Sequence, residues 1–103
     1  MLNNVVIVGR IVNELVLEEN NEDKKYCSMT IAVPRSFKNM DGVYDTDFIK
    51  TTVFGNIAEN TAEYCRKGDA ISVKGRLACL DINKGMSLIA EKVTFLSSKK
   101  ESE

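Results

Sequence analysis

The stretch "DFIKTTVFGNIAENTAEYCRKG", residues 47–68, changes periodicity partway along, and that change sets the architecture. Over residues 48–54 the side chains alternate. Ile49, Thr51 and Val53 share one face of a strand, and Phe48, Lys50, Thr52 and Phe54 share the other. The first set is small and mostly aliphatic, as a barrel interior demands. The second places a cation between two aromatic rings. After Gly55 the period becomes helical, predicting a helix over 56–68. Asn56 is the expected N-cap and Glu59 completes a capping box. Ile57, Thr61, Tyr64 and Cys65 fall on one side, Arg66 and Lys67 suit the C-terminal dipole, and Gly68 closes the helix.

Upstream, "NNVVIVGRIV" (3–12) reads as a strand whose Gly9 marks a bulge or bend. "EENNEDKK" (18–25) reads as a loop. "YCSMTIAV" (26–33) alternates, with Cys27, Met29, Ile31 and Val33 on one face and Ser28, Thr30 and Ala32 on the other, and Pro34 is expected to end it. Asp41-Gly42 signals a turn in an exposed loop. Downstream, "AISVKGRL" (70–77) alternates Ile71, Val73, Gly75 and Leu77 against Ser72, Lys74 and Arg76. Residues 78–96 read as a hairpin turning at Asn83-Lys84-Gly85. Three strands, one helix, a strand and a hairpin make an all-β chain. This is the order of a five-stranded Greek-key barrel with its helix between strands 3 and 4, the OB-fold layout. Residues 1–97 form the expected single domain and 98–103 a polar, frayed tail.

The composition agrees with one globular domain: 103 residues, 44% hydrophobic and 28% charged, with a net charge of -1. The acidic residues gather at Glu14, Glu18, Glu19, Glu22 and Asp23, while Lys and Arg are spread over the strands. No apolar run approaches the ~20 residues that span a bilayer, and residues 1–10 lack a basic, signal-like start. Cys27, Cys65 and Cys79 form no CxxC pair and sit in apolar-patterned segments, so buried free thiols in a reducing cytoplasm are expected.

The residues argue against catalysis, and no enzyme is expected. There is no His, hence neither the commonest general base nor the commonest metal ligand. The glycines are isolated rather than grouped into a phosphate loop. Asp41, Asp45 and Asp47 lack the spacing and the Glu of a calcium loop and read as solvated. No cofactor or metal is implied. The ring–cation–ring face does suggest chemistry. Same-face neighbours on a strand stand about 6.5–7 Å apart, a spacing on which bases can stack while a lysine meets phosphate. Phe37 and Lys38 add a ring and a charge at the preceding loop, and Lys74 and Arg76 extend the cationic track if their strand lies alongside.

The segments "NNVVIVGRI", "MTIAVPRSFKN", "DFIKTTVFGNIAENTAEYCRKG", "VKGRL" and "AEKVTFL", spread over residues 1–96, resemble the bacterial single-stranded DNA-binding proteins of the replication machinery. The resemblance implies an OB-fold and sequence-tolerant binding of single-stranded DNA in replication, recombination or repair. It also implies a homotetramer, or a dimer. Phe37 matches the family's loop aromatic, Phe48 and Phe54 the two aromatics of the third strand, and Lys50 the basic position between them. The expected DNA-contacting set is Phe37, Lys38, Phe48, Lys50, Thr52 and Phe54, flanked by Arg10, Arg35, Lys74 and Arg76.

The sequence also departs from the family pattern. Ile82 stands where a hairpin aromatic is usual, "ACLD" replaces basic residues before it, and Glu18-Glu19 replaces an Arg-Tyr pair in the first loop. Weaker binding or a shorter footprint is the expectation. Typical members continue into a linker with an acidic, partner-recruiting tip, where this chain reads "SSKKESE". The expectation is a tail-less member, of chromosomal, plasmid or phage origin, or a trimmed chain. Two other readings stay open: a dimeric accessory protein like primosomal replication protein B, suggested by residues 71–96, and an OB-fold interaction module with weak or no DNA binding.

Overall fold

Seven elements follow one another in the computed structural model, which describes residues 1–83 and 85–97. They are β1 (Val5–Ile11), β2 (Leu17–Glu19), β3 (Lys25–Lys38), β4 (Tyr44–Phe54), α1 (Gly55–Tyr64), β5 (Ala70–Asp81) and β6 (Gly85–Ser97). The expected tail, 98–103, and Lys84 of the expected turn lie outside the described residues. The strands are ordered β1-β5-β6-β4-β3-β2, and β1 also pairs with β3, so the five long strands close on themselves. Only β4 and β6 run parallel, as the helical crossover between β4 and β5 permits. This is the five-stranded OB barrel, with the short β2 added along the rim of β3.

Alternation builds the interior as the sequence predicts. Cys27, Met29 and Ile31 of β3, Thr51 and Val53 of β4, and Ile71 and Val73 of β5 are buried. Ile11, Leu88 and Ala90 join them, as do Ala58 on the inner side of α1 and Cys65 just after it. Each fully buried aliphatic side chain contributes about 1.5–3 kcal/mol. Cys65 is desolvated and faces Asp69, and its thiol is pushed up to about 11. Cys79, by contrast, is exposed, so only two of the three thiols are buried as expected. Leu77 also breaks its pattern, being 41% exposed although it pairs with the buried Leu88.

Several boundaries differ from the sequence reading. Pro34 does not end β3. It pairs with Thr46, and the strand continues to Lys38 as a projecting β3–β4 ribbon, irregular between Pro34 and Lys38. Residues 18–25 are not all loop, since Glu18 and Glu19 pair with Tyr26 and Lys25. The helix starts one residue early. Gly55 adopts φ +67° and Phe54 becomes the N-cap, without a side-chain cap bond. Asn56 is therefore helical, and Glu59 makes a 3.9 Å ion pair with Lys25 rather than a capping box. α1 ends at Tyr64, and Tyr64 is exposed rather than facing the core.

Arg66 and Lys67 sit in a turn, not in the last helical turn. The Asp69 carboxylate accepts the Arg66 amide at 2.8 Å, and the Gly68 amide donates to the Ile11 carbonyl at 2.7 Å. The turn is thus tied to β1.

Gly9 is no bulge, because β1 keeps an unbroken register with β5 from Val5↔Gly75 to Arg10↔Ala70. Its lack of a side chain serves close approach: a Cβ there would strike the Ala32 carbonyl oxygen of β3. One of the irregularities of the β5–β6 ladder falls at Gly75, where pairing shifts from Lys74↔Lys92 to Gly75↔Ala90 and leaves Glu91 over as a bulge. A Cβ on Gly75 would strike the Ile89 carbonyl oxygen.

Two outcomes follow from this packing. Gly75→Ala should destabilise the domain by about 1–3 kcal/mol, because the obstacle is backbone and cannot rotate away; a denaturant midpoint unchanged from the parent would contradict it. Cys65 has its folded pKa raised from 9.0 to about 11. Its share of the stability is fully present below 9.0 and is lost as pH rises through about 11. Thermal melts across that interval should show the loss, and Cys65→Ala should flatten it.

Candidate nucleic-acid interface

β4 presents Phe48, Lys50, Thr52 and Phe54 on the outside of the barrel because its alternate residues fill the inside. Phe48 is 64% exposed and Phe54 41%. Neither belongs to the core, so burial gives no account of them. Phe37 is also 64% exposed, on the projecting ribbon, where the Lys38 ammonium stands 5.8 Å from the Tyr44 ring centroid.

Cross-strand register shows what flanks this face, since directly paired residues project to the same side of a sheet. The Phe48 row runs through Ala32 of β3 to Arg10 of β1. The Thr52 row runs through Ile89 of β6 to Arg76 of β5. Arg10 and Arg76 therefore lie on opposite flanks of β4, each about 10 Å away, or two interstrand spacings. Ala32 leaves a shallow hollow of about 380 Å³ between Arg10, Pro34 and Thr46. Lys74 shares the outward side of β5 with Arg76, but its partners are Val6 and Lys92, away from β4.

The cations differ in how far they are already engaged. Arg10 Nη1 donates to the Gly68 carbonyl at 2.9 Å. Arg76 approaches Glu91 at 3.8 Å. Arg35 is held most firmly, donating to Asp47 at 3.0 Å and lying 3.8 Å from Asp45. Asp45 and Asp47 share the parity of Ile49, so this cluster faces away from Phe48. Asp45 and Asp47 are thus paired with an arginine rather than simply solvated, and Asp45 also accepts from Asn39 at 3.1 Å. The hydrogen bond from Arg35 holds the Asp47 carboxyl below its ordinary value. Among the described residues Lys50 makes no ion pair.

Sequence reasoning missed Tyr26. It pairs with Phe54 across β3–β4, their ring centroids 6.3 Å apart and tilted by 43°. Its hydroxyl donates to Glu18 Oε1 at 3.0 Å, and that bond holds the phenol above its ordinary pKa. The signal was present: extending the Ser28–Thr30–Ala32 face two residues back reaches Tyr26. Among the described residues no group of three or more His, Cys, Asp or Glu side chains is placed to hold a metal ion.

A closed five-stranded barrel carrying exposed rings and a lysine on its third long strand defines an OB-class domain. The model of the single-strand binding protein family matches residues 2–96, and the chain belongs to that family. It is 35% identical to single-stranded DNA-binding protein 1 of Clostridium acetobutylicum, over 97% of this chain and 98% of that protein. It is 39% identical to single-stranded DNA-binding protein B of Bacillus subtilis, over 75% of this chain and 68% of that one. Single-stranded DNA-binding protein 1 of Streptococcus pyogenes is 36% identical, over 75% and 59%.

The Arg35–Asp47 pair has a measurable signature. By NMR titration the Asp47 carboxyl should protonate below its ordinary 3.8, and Arg35→Ala should return it upward. A midpoint insensitive to that substitution would mean the pair does not hold in solution.

Proposed function

We propose that this chain binds single-stranded DNA with little sequence preference along most of its face, and holds it during replication, recombination or repair. The observation that carries the reading is the exposed Phe48–Lys50–Thr52–Phe54 row on a closed barrel. A single strand can unstack its bases onto such rings, at roughly 1–3 kcal/mol per base. A duplex keeps its base faces buried and offers the rings nothing. Phe37 and Lys38 lengthen the track on the ribbon, and Arg10 and Arg76 flank it. The role is binding rather than catalysis.

Self-association belongs to the same proposal. β1 turns Val6 and Val8 outward, 61% and 54% exposed, an aliphatic stripe that a second copy would cover. A homotetramer is the assembly proposed, and a dimer is the smaller form consistent with the same stripe. At the hairpin position where the family usually carries a ring, Ile82 is exposed, which supports a shorter footprint than a typical member's.

Fluorescence anisotropy with labelled oligo-dT and with a duplex tests the reading, and light scattering gives the mass of the assembly. Preference for the single strand is expected, and equal or absent binding at low salt would overturn it. Phe48→Ala and Phe54→Ala should each weaken binding by about 1–3 kcal/mol while leaving the melting temperature near the parent's. A variant that loses its fold would show its ring to be structural.

A further inference from the structure

The outward face is not chemically uniform. One cross-strand row joins Glu18 of β2, Tyr26 of β3 and Phe54 of β4. All three side chains therefore project to the same side. The two rings form a tilted corner, with centroids 6.3 Å apart. The tyrosine hydroxyl donates to Glu18 Oε1 at 3.0 Å and so fixes where the carboxylate stands. Glu18 is about 10 Å from Phe54 across two interstrand spacings, so a base lying on Phe54 extends over Tyr26 toward that carboxylate. At the Phe48 end the corresponding row carries Ala32 and Arg10 instead. The two ends thus offer opposite charges to the same ligand.

A carboxylate accepts hydrogen bonds and donates none, and one bond from Tyr26 leaves it with unused lone pairs. It repels phosphate, so its use to a nucleic-acid strand lies at a base edge. Cytosine presents an exocyclic N4 amine, the donor that Glu and Asp accept from in base readout. Uracil and thymine present carbonyl oxygens there, and their one edge donor lies between two such oxygens that the carboxylate repels.

We propose that Glu18, Tyr26 and Phe54 form a base-reading corner in which a cytosine stacked on the rings donates its amine to the Glu18 carboxylate, so that this end of the face prefers cytosine to uracil or thymine. The corner rests on the reading of β4 as a base-stacking face and adds a specificity-determining residue to it. Asp23, Lys24, Lys25 and Glu59 line a hollow beside Phe54, where Lys25 is drawn toward Glu59 at 3.9 Å. Glu18 and Tyr26 are therefore the polar groups of this row that a base edge meets.

Equal-length oligo-dC and oligo-dU isolate the difference, because their pyrimidine rings differ only at the edge in question. Anisotropy titrations of both, at a slightly alkaline pH that keeps cytosine unprotonated, should show the wild-type chain favouring oligo-dC by roughly three- to tenfold. That is less than buried bidentate readers achieve, because the corner is open to solvent. Glu18→Gln should abolish the preference, since an amide both donates and accepts. Tyr26→Phe keeps the ring but releases the carboxylate, and should lower the preference for oligo-dC. The proposal is overturned if Glu18→Gln tightens both oligomers equally, which would make Glu18 only a repulsive charge, or if the ratio is the same in wild type and variant. Failure of the wild-type chain to bind either oligomer would instead overturn the stacking face itself.

Discussion

β1 hydrogen-bonds to β5 along one edge and to β3 along the other, and on that double pairing the barrel depends. Closing five strands brings backbones together more tightly than side chains allow at two places. Gly9 lies against the Ala32 carbonyl and Gly75 against the Ile89 carbonyl. Because the barrel is closed, it has one small interior that accepts only every second residue of each long strand. The outward face of β4 is what remains once Thr51 and Val53 are committed to the interior. Phe48 and Phe54 are outside by necessity of register, not through any weakness of the core.

Much of this was legible in residues 47–54, because a strand with one buried face announces its period in the residues themselves. The inward sets on β3, β4 and most of β5 follow that period, and so does the outward aromatic row. Features that depend on contacts distant in sequence were not legible. Nothing local shows that Pro34 has Thr46 to pair with, or that β2 forms at all. Asn56 and Glu59 read as a capping box, but Gly55 turns the chain first and leaves Glu59 to Lys25. Gly9 reads as a bulge or bend, and Gly75 as one more inward residue of its strand. Only their neighbours across the sheet show that both serve close approach and that Gly75 also stands at a bulge.

The site divides in the same way. Phe48, Lys50, Thr52 and Phe54 were readable because they lie on one strand. Their flanks belong to rows that cross strands: Arg10 reaches the face through Ala32, and Arg76 through Ile89. Arg35 looked like a member of the track from its position beside Phe37. Its partners, Asp45 and Asp47, stand on the opposite face and hold it there. Tyr26 reads as the start of a strand until Phe54 is found beside it.

The near-zero net charge then has a structural account. Arg35 and Arg76 are each close to an acidic partner, and Glu18 stands at one end of the stacking row. Long-range attraction for a polyanion is weak on such a surface, since Arg35 and Arg76 are partly screened by their acidic neighbours before any ligand arrives. On the proposed reading, discrimination comes from short-range contacts: rings that need an unpaired base, and Lys50, which makes no ion pair among the described residues, set between them. A face organised in this way selects by what a strand can expose rather than by how much charge it carries. On that reading a duplex with the same phosphates has no corresponding way to engage it.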